Sequence, residues 1–345
     1  MKATLKGILA LAALALPMTG PVAQDAVEDP EVYTFSQYVE VLSARARAEG
    51  VSEATIDRMT AGLTPNDRVI SLDRGQPGTP SRTGFPLLSP YIRDHVDRNR
   101  INGGKRVYQE NYDLAQAVEY EFGVPGQVLI AIWGHETNYG SFMGSFDLSR
   151  SLATLAWEGR RRELFSAEFV DLLKIADQGF DRSTLTGSWA GAFGNPQFLP
   201  SVYLRLAIDG DGDGRADIWN SRADTLHSIG HYFKDAGWRQ GQPWGVEATV
   251  PAGFDVDAYA SKIESPVCPR VHQRHSEWKT VAEWKGIGVR PQSMIGDDVM
   301  ASLFQPDGPG TPAWLLTGNY RVILEYNCSN YYAMSVGLLA DEIVR

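Results

Sequence analysis

The chain has 345 residues, with 32 lysines and arginines against 42 aspartates and glutamates, and is 43% hydrophobic and 21% charged. That composition describes a soluble globular protein: it is too apolar for a disordered chain, has no collagen period, and its one long apolar run is too short to span a bilayer. An excess of ten negative charges also argues against nucleic acid as the main partner, since phosphate binding draws its energy from clustered Lys and Arg.

Met1 to Lys6 carries two positive charges, Gly7 to Leu16 is apolar and ends at Pro17, and small residues follow at Gly20-Pro21-Val22-Ala23. This reads as a secretory signal over residues 1–23, which places the mature chain in the periplasm. No cysteine follows the apolar run, so a lipoprotein is disfavoured; a short anchor helix is the alternative. After an acidic leader (Gln24 to Pro30), Phe35, Tyr38, Val39, Leu42 and Ala46 predict an amphipathic helix from Phe35 to Gly50. Ser52 predicts the cap of a second helix through Met59, and Gly75-Gln76-Pro77-Gly78 predicts a loop. Ser89-Pro90 reads as a cap and first-turn proline, and Tyr108 to Phe122 as one longer helix.

From Val124 to Trp244 the pattern is one of buried helices broken by glycine-rich turns. Between 246 and 326 it changes to short β-branched and aromatic runs (Val246 to Val250, Trp314 to Thr317, Tyr320 to Tyr326), which predict a small β-rich insertion. Helical spacing returns from Tyr331 to Val344. Cys268 and Cys328 are the only cysteines; in an oxidising compartment they can pair, and two free buried thiols are the alternative.

Pro125-Gly126-Gln127 opens a helix whose next residues, Val128 to Trp133, are apolar on every side, so it belongs in a core. Glu136 follows directly, in Gly134-His135-Glu136-Thr137-Asn138-Tyr139-Gly140. A carboxyl group delivered to the edge of an apolar core is disfavoured in its charged form, as a general acid working near neutral pH requires. A glutamate capping locally at a helix end is the structural alternative. His135 has no second His or Cys at metal spacing and reads as a hydrogen-bonding histidine.

Together with Gly123-Val124-Pro125, Leu152-Ala153-Thr154-Leu155, Gly187-Ser188-Trp189-Ala190-Gly191-Ala192-Phe193-Gly194, Gln197-Phe198-Leu199-Pro200-Ser201, Thr317-Gly318-Asn319-Tyr320 and Tyr326-Asn327 through Tyr332-Ala333-Met334, that motif resembles the lytic murein transglycosylase B family. Leu72-Asp73-Arg74-Gly75-Gln76-Pro77 extends the likeness toward the N-terminus. The resemblance implies a mainly α (α+β) protein: an N-terminal helical domain over 24–118 completed by 327–345, a lysozyme-like catalytic core over 119–245, and a small β-rich domain over 246–326. It also implies cleavage of the MurNAc-β-1,4-GlcNAc bond of peptidoglycan without water, the muramyl C6 hydroxyl closing on C1 to leave a 1,6-anhydro end. Glu136 would be the single acid and then base, where most glycosidases use two carboxylates. No cofactor is needed for that chemistry.

By the same resemblance Tyr91, Arg160, Arg161, Ser188, Gln197, Phe198, Tyr232, Tyr326, Asn327 and Tyr332 match substrate contacts, and the arginines would meet carboxylates of muramyl peptides. Leu164 stands where the family can carry a tyrosine, and one residue is missing just before the arginines.

Asp209-Gly210-Asp211-Gly212-Asp213-Gly214-Arg215-Ala216-Asp217 matches an EF-hand loop at its first, third, fifth, sixth and ninth positions, with the Arg215 carbonyl at the seventh. The last position holds Asn220 instead of glutamate, and Asp224 is the expected substitute. A structural Ca2+ or Na+ is expected, with a solvated acidic turn as the alternative. The partners expected are peptidoglycan strands and, beyond them, cell-wall synthesis or envelope-machine proteins; no membrane span is expected. A hydrolytic muramidase and a non-catalytic wall-binding scaffold are the rival functions, the second opposed by intact Glu136, Ser188 and Asn327.

Overall fold

The computed structural model describes residues 33–76, 86–262, 267–268 and 271–345; the expected signal segment, the acidic leader and the turn after Gln76 lie outside them. Helices dominate and a small antiparallel sheet comes late in the chain, so the fold is mainly α with a β insertion. No helix among the described residues is long and apolar enough to cross a membrane.

Three helices open the chain, α1 (Phe35–Ala48), α2 (Glu53–Thr60) and α3 (Asp67–Arg74). Each begins on a side-chain cap. Thr34 closes a capping box with Gln37, Ser52 accepts from the Thr55 amide, and Asn66 accepts from the amides of Arg68 and Val69. Next come α4 (Leu88–His95), α5 (Arg98–Glu110) and α6 (Tyr112–Phe122), and here two expectations are corrected. Ser89 does not cap α4: the cap position falls two residues earlier, at Leu87, and the distant Asp307 accepts from the Leu88 and Ser89 amides. The single helix expected from Tyr108 to Phe122 breaks at Asn111, whose side-chain amide turns back to donate to the Val107 carbonyl at 2.7 Å.

After the Pro125 turn comes α7 (Gly126–Thr137), with Val128 to Trp133 all buried as predicted. It is followed by β1 (Phe146–Asp147), α8 (Leu148–Glu158), α9 (Arg162–Asp177), β2 (Thr186–Gly187), α10 (Pro200–Leu206) and α11 (Arg222–Asp235). The late region holds β3 (Gly245–Thr249), β4 (Trp278–Thr280), α12 (Val281–Gly286), β5 (Arg290–Pro291), β6 (Met300–Phe304), β7 (Ala313–Leu316), α13 (Gly318–Tyr326) and α14 (Asn330–Val344). Tyr320 to Tyr326, expected as a strand, is α13. Thr317 caps it through the Asn319 amide, and Tyr320, Val322, Ile323, Leu324 and Tyr326 are all buried. Arg321 and Glu325, four residues apart, pair along the less buried side of this helix, a helical spacing that the run's β-branched and aromatic content masked.

By their contacts the residues form two compact units, one holding 136–228 and the described part of 21–84, the other holding 229–345 and the described part of 85–135. The cuts fall inside α7, between His135 and Glu136, and inside α11, between Ser228 and Ile229. In the first unit α8 and α9 lie against each other, and α1, α2 and α3 cover them. Phe169, Leu172 and Leu173 are fully buried there; removing a ring such as that of Phe169 costs about 3–5 kcal/mol. The N-terminal helices therefore group with residues beyond Glu136, across the segment boundaries drawn from sequence.

In the second unit the strands run in the order β4-β6-β7-β3-β5, all antiparallel. One face of this sheet packs on α12 through Val246, Ala301, Leu303, Leu315 and Trp284, whose indole N–H donates to the Ala301 carbonyl at 2.9 Å. Helix α14 packs on α4, α5 and α13. Cys268 and Cys328 form a disulfide with Cα atoms 5.2 Å apart, which settles the alternative left open by sequence.

Candidate active site

Glu136 sits in the last turn of α7, one turn past the fully buried stretch, and is half-buried. The helix stops because Asn138, Tyr139 and Gly140 are consecutively left-handed, with φ of 49°, 59° and 82°. Two of these lack glycine's freedom, and each such residue costs on the order of 1 kcal/mol unless its surroundings hold it. Thr137 supplies the hold: its buried hydroxyl accepts from the Gly140 amide at 3.0 Å and donates to the Asn195 carbonyl at 3.2 Å. The Phe142 amide returns to the Thr137 carbonyl at 3.0 Å.

The glycine-rich stretch is fastened to the same loop. Gln197, itself at φ 53°, donates its side-chain amide to the carbonyls of Met143 (3.1 Å) and Gly194 (2.9 Å). Gly144 can be only glycine, since a Cβ there would lie 2.2 Å from the Gly187 carbonyl oxygen. Ser188 accepts at Oγ from the Ala192 amide (3.0 Å) and donates its own amide to the Ala192 carbonyl (2.7 Å). Phe193 and Phe198 exchange both backbone bonds, and the Phe198 ring is only 2% exposed. Of the three residues singled out here, Gln197 bridges toward the Glu136 loop, while Ser188 and Phe198 hold the turn from inside. Thr137, Asn195 and Met143 are supports that sequence reading did not single out, although the first two lie inside the quoted motifs or beside them.

Arg160 and Arg161 already grip a carboxylate. Asp73, 1% exposed at the end of α3, accepts from Arg160 Nε and Nη2 and from Arg161 Nη2, each at 2.7 Å. Burial pushes the Asp73 carboxyl up, but the two guanidiniums outweigh it and hold it below the usual aspartate range.

The other candidates lie in the second unit. Tyr91 stacks on His95 with ring centroids 3.7 Å apart and meets Tyr331 edge-on. Tyr232 donates its hydroxyl to the Glu325 carbonyl at 2.8 Å and meets Tyr326 edge-on at 4.6 Å. Tyr326, Asn327 and Tyr332 are buried. Tyr332 packs on His135, whose Nδ1 lies 2.9 Å from Arg100 Nη1. Burial first, and then the Arg100 charge, lowers the His135 pKa to about 3. Its imidazole is therefore a neutral acceptor for the arginine, in keeping with a hydrogen-bonding histidine.

In the acidic loop Asp209, Asp211 and Asp213 bring carboxylate oxygens within 4.8 Å of one another. Asp209 also accepts from the amides of Gly212 (2.7 Å) and Gly214 (2.8 Å), which curls the chain round it. Asp217, expected at the ninth position, accepts instead from the amides of Trp219 and Asn220. The expected Asp224 does not join the three. It is fully buried at the start of α11 and takes the amides of Gly210 (2.8 Å) and Asp217 (2.6 Å), tying the two ends of the loop together. Three hard oxygen donors on a preformed loop suit a cation such as Ca2+ or Na+.

The chain has relatives. The transglycosylase SLT domain family matches residues 34–341. Membrane-bound lytic murein transglycosylase B of Escherichia coli is 30% identical over 256 residues, 73% of this chain; the chain spans 66%, just under two thirds, of that relative. The crystal structure of SltB3 from Pseudomonas aeruginosa in complex with NAG-anhNAM-pentapeptide superposes with a TM-score of 0.81 at 38% identity, covering 90% of this chain and 80% of that one. Escherichia coli lytic transglycosylase Slt35 in complex with calcium gives 0.72 at 26% identity, covering 89% and 92%. The chain belongs to the transglycosylase SLT domain family and, within it, to the lytic murein transglycosylase B family of enzymes.

Proposed function

We propose that the protein is a lytic transglycosylase that cleaves the MurNAc-β-1,4-GlcNAc bond of peptidoglycan and leaves 1,6-anhydro ends, with Glu136 as its one acid and base. The observation that carries this reading is the placement of Glu136: a half-buried carboxyl in the last turn of a helix whose residues 128–134 are all buried, with the helix end pinned through Thr137. The protonated carboxyl gives its proton to the leaving glycosidic oxygen as the bond to C1 breaks. The resulting carboxylate takes the proton of the muramyl C6 hydroxyl as that oxygen bonds to C1, which returns Glu136 to its starting state. The substrate's 2-acetamido group assists at C1. A single acid suffices because the nucleophile is part of the substrate, and between Gly134 and Ser145 the sequence offers no second carboxylate. The next one, Asp147, is taken by Arg182 at 2.7 Å and by the Arg150 amide.

Peptidoglycan as substrate is supported by the SltB3 complex, whose bound ligand carries an anhydro-muramyl unit of the kind this reaction would make. Substrate contacts are assigned to Tyr91, Ser188, Gln197, Phe198, Tyr232, Tyr326, Asn327 and Tyr332, and contacts to peptide carboxylates to Arg160 and Arg161. A cation at Asp209, Asp211 and Asp213 has a structural role in this reading, and the Slt35 complex with calcium supports it. The reading places the mature enzyme in the periplasm, where its substrate lies, after export by residues 1–23. Its cellular partners would be other proteins of wall synthesis or of an envelope machine.

Mass spectrometry of digested, purified peptidoglycan tests the proposal. Anhydro ends, one water lighter than reducing ends, are expected from the parent protein and none from Glu136→Gln. Reducing ends from the parent would make the protein a muramidase, and digestion by Glu136→Gln would remove the acid assignment.

A further inference from the structure

We infer that the second unit carries an auxiliary glycan-strand site, a groove between the turn that follows α11 and the loop that follows β5, which holds peptidoglycan in addition to the site of cleavage. The inference rests on the peptidoglycan reading above and deepens it. Residues 240–243, just ahead of β3, and 290–296, from β5 onward, wall a cavity of about 890 Å3, with Lys285 of α12 and Val299 completing the lining. That volume falls within the roughly 300–1,000 Å3 of ligand sites. None of the residues assigned to the substrate lines it, and Glu136 belongs to the other unit.

The fold leaves the polar groups of this lining unspent. Among the described residues, the side chains of Gln240, Gln242 and Ser293 make no hydrogen bond to the protein. Gln242 is half-buried and its backbone is fixed at both ends: the carbonyl accepts from Asn319 Nδ2 at 2.7 Å and the amide donates to the Arg239 carbonyl at 3.3 Å. Its free side-chain amide therefore starts from a fixed point. Arg290, on the two-residue strand β5, gives only Nη1 to the protein, to the carbonyl of Lys285 and, at 3.2 Å, to that of Val289. Lys285 is neutralised by Asp297, and no acidic side chain lines the groove among the described residues. Arg290 thus leaves one positive charge in excess there, in a chain whose net charge is −10. Pro243, Pro291, Ile295 and the 96% exposed Met294 supply apolar surface between these groups. A primary amide both donates and accepts, as sugar hydroxyl and acetamido groups do, the apolar patches suit the C–H face of a pyranose ring, and the surplus cation suits an anionic strand. Uncommitted amides with scattered apolar side chains favour a glycan over a protein partner, whose interface would centre on an apolar core. Because peptidoglycan repeats its disaccharide, one repeat held here keeps others at high effective concentration for cleavage.

The test compares intact peptidoglycan sacculi with a soluble tetrasaccharide of the same repeat, which has no repeats to spare, on the full chain. The readout is kcat/KM on sacculi divided by kcat/KM on the tetrasaccharide. For Gln242→Ala and for Arg290→Gln this ratio is expected to fall about fivefold each, and for the double variant about twentyfold. The fall is carried by KM on sacculi, while activity on the tetrasaccharide and the melting temperature stay near the parent's. Both variants are expected to fold, since Arg290→Gln keeps a donor for the two carbonyls and Gln242→Ala touches no backbone bond. An unchanged ratio in the double variant overturns the inference and passes the groove to its rival occupant, a protein partner. An equal fall on both substrates overturns it too, since that is what a purely structural role would give. Co-sedimentation with sacculi separates this inference from the reading it rests on. Glu136→Gln should pellet with sacculi, and adding the two groove substitutions should weaken that binding about tenfold; no weakening would sink the groove alone. If Glu136→Gln still cleaves, or the parent leaves reducing ends, the catalytic assignment falls while the ratio still judges the groove.

Discussion

Glu136 and Glu168 are two partly or wholly buried glutamates of the same unit, and the function proposed above gives them opposite uses. Glu168 lies in the middle of α9, 3% exposed, and both its oxygens are committed to the first turn of α10: Oε2 accepts from the Ser201 amide at 3.0 Å and Oε1 from the Ser201 hydroxyl at 2.7 Å. Burial raises its pKa more than those two bonds lower it. Glu136 sits at a helix end, half-buried, where the chain turns through left-handed residues. A raised pKa by itself therefore does not mark a catalytic acid; a carboxyl serves chemistry when its helix carries it to where a substrate can reach it, and serves structure when it is spent on a neighbouring helix end.

The largest expected effect breaks the comparison most directly. Glu136→Gln should lower kcat on peptidoglycan by about a thousandfold, the loss typical of a removed general acid, with the melting temperature within a few degrees of the parent. The reverse is expected of Glu168→Ala: activity on a murein suspension stays near the parent's at 25 °C, while stability falls by about 2 kcal/mol because the Ser201 groups lose their partner. If Glu168→Ala abolished activity in a folded protein, the division between the two glutamates would collapse. The pH course sharpens it further. A carboxyl whose pKa is raised by folding gives stability that is fully present below its unfolded pKa and lost as pH rises through the folded value. Melting curves from pH 4 upward should therefore show Glu168→Gln gaining on the parent as pH rises.

A buried histidine gives a further test, of opposite slope. His275 is 3% exposed, its Nε2 lies 2.8 Å from Asn330 Oδ1 and its Nδ1 3.3 Å from the Ser302 hydroxyl, and burial lowers its pKa to about 3. Because the folded value lies below the unfolded one, stability is complete above about pH 6.5 and falls with acidification toward pH 3, by about 2 kcal/mol at pH 5. Denaturant titrations at pH 7 and pH 5 should show that loss in the parent and less of it in His275→Gln. The smallest effect concerns the acidic loop. With millimolar affinity, 10 mM Ca2+ should stabilise by about 1.4 kcal/mol, a rise of about 2–4 °C in the melting temperature that Asp209→Asn abolishes and a chelator reverses.

Sequence alone carried the helical class, α1, α2, α7 and α14, the buried stretch Val128 to Trp133 and the motif around Glu136. In each of these the information is local: a cap three residues from its amide, an apolar stripe of one period, a named run of residues. Asp307 capping α4, the pairing of Cys268 with Cys328, and Asp73 closing on Arg160 and Arg161 were decided only by tertiary structure. The same holds for Asp224, which fits a ligand position in one dimension and in three serves backbone amides. The physical reason is common to all of them. A carboxylate or a thiol can satisfy itself on several partners, and which partner it meets depends on segments up to hundreds of residues away that only the folded chain brings within bonding distance.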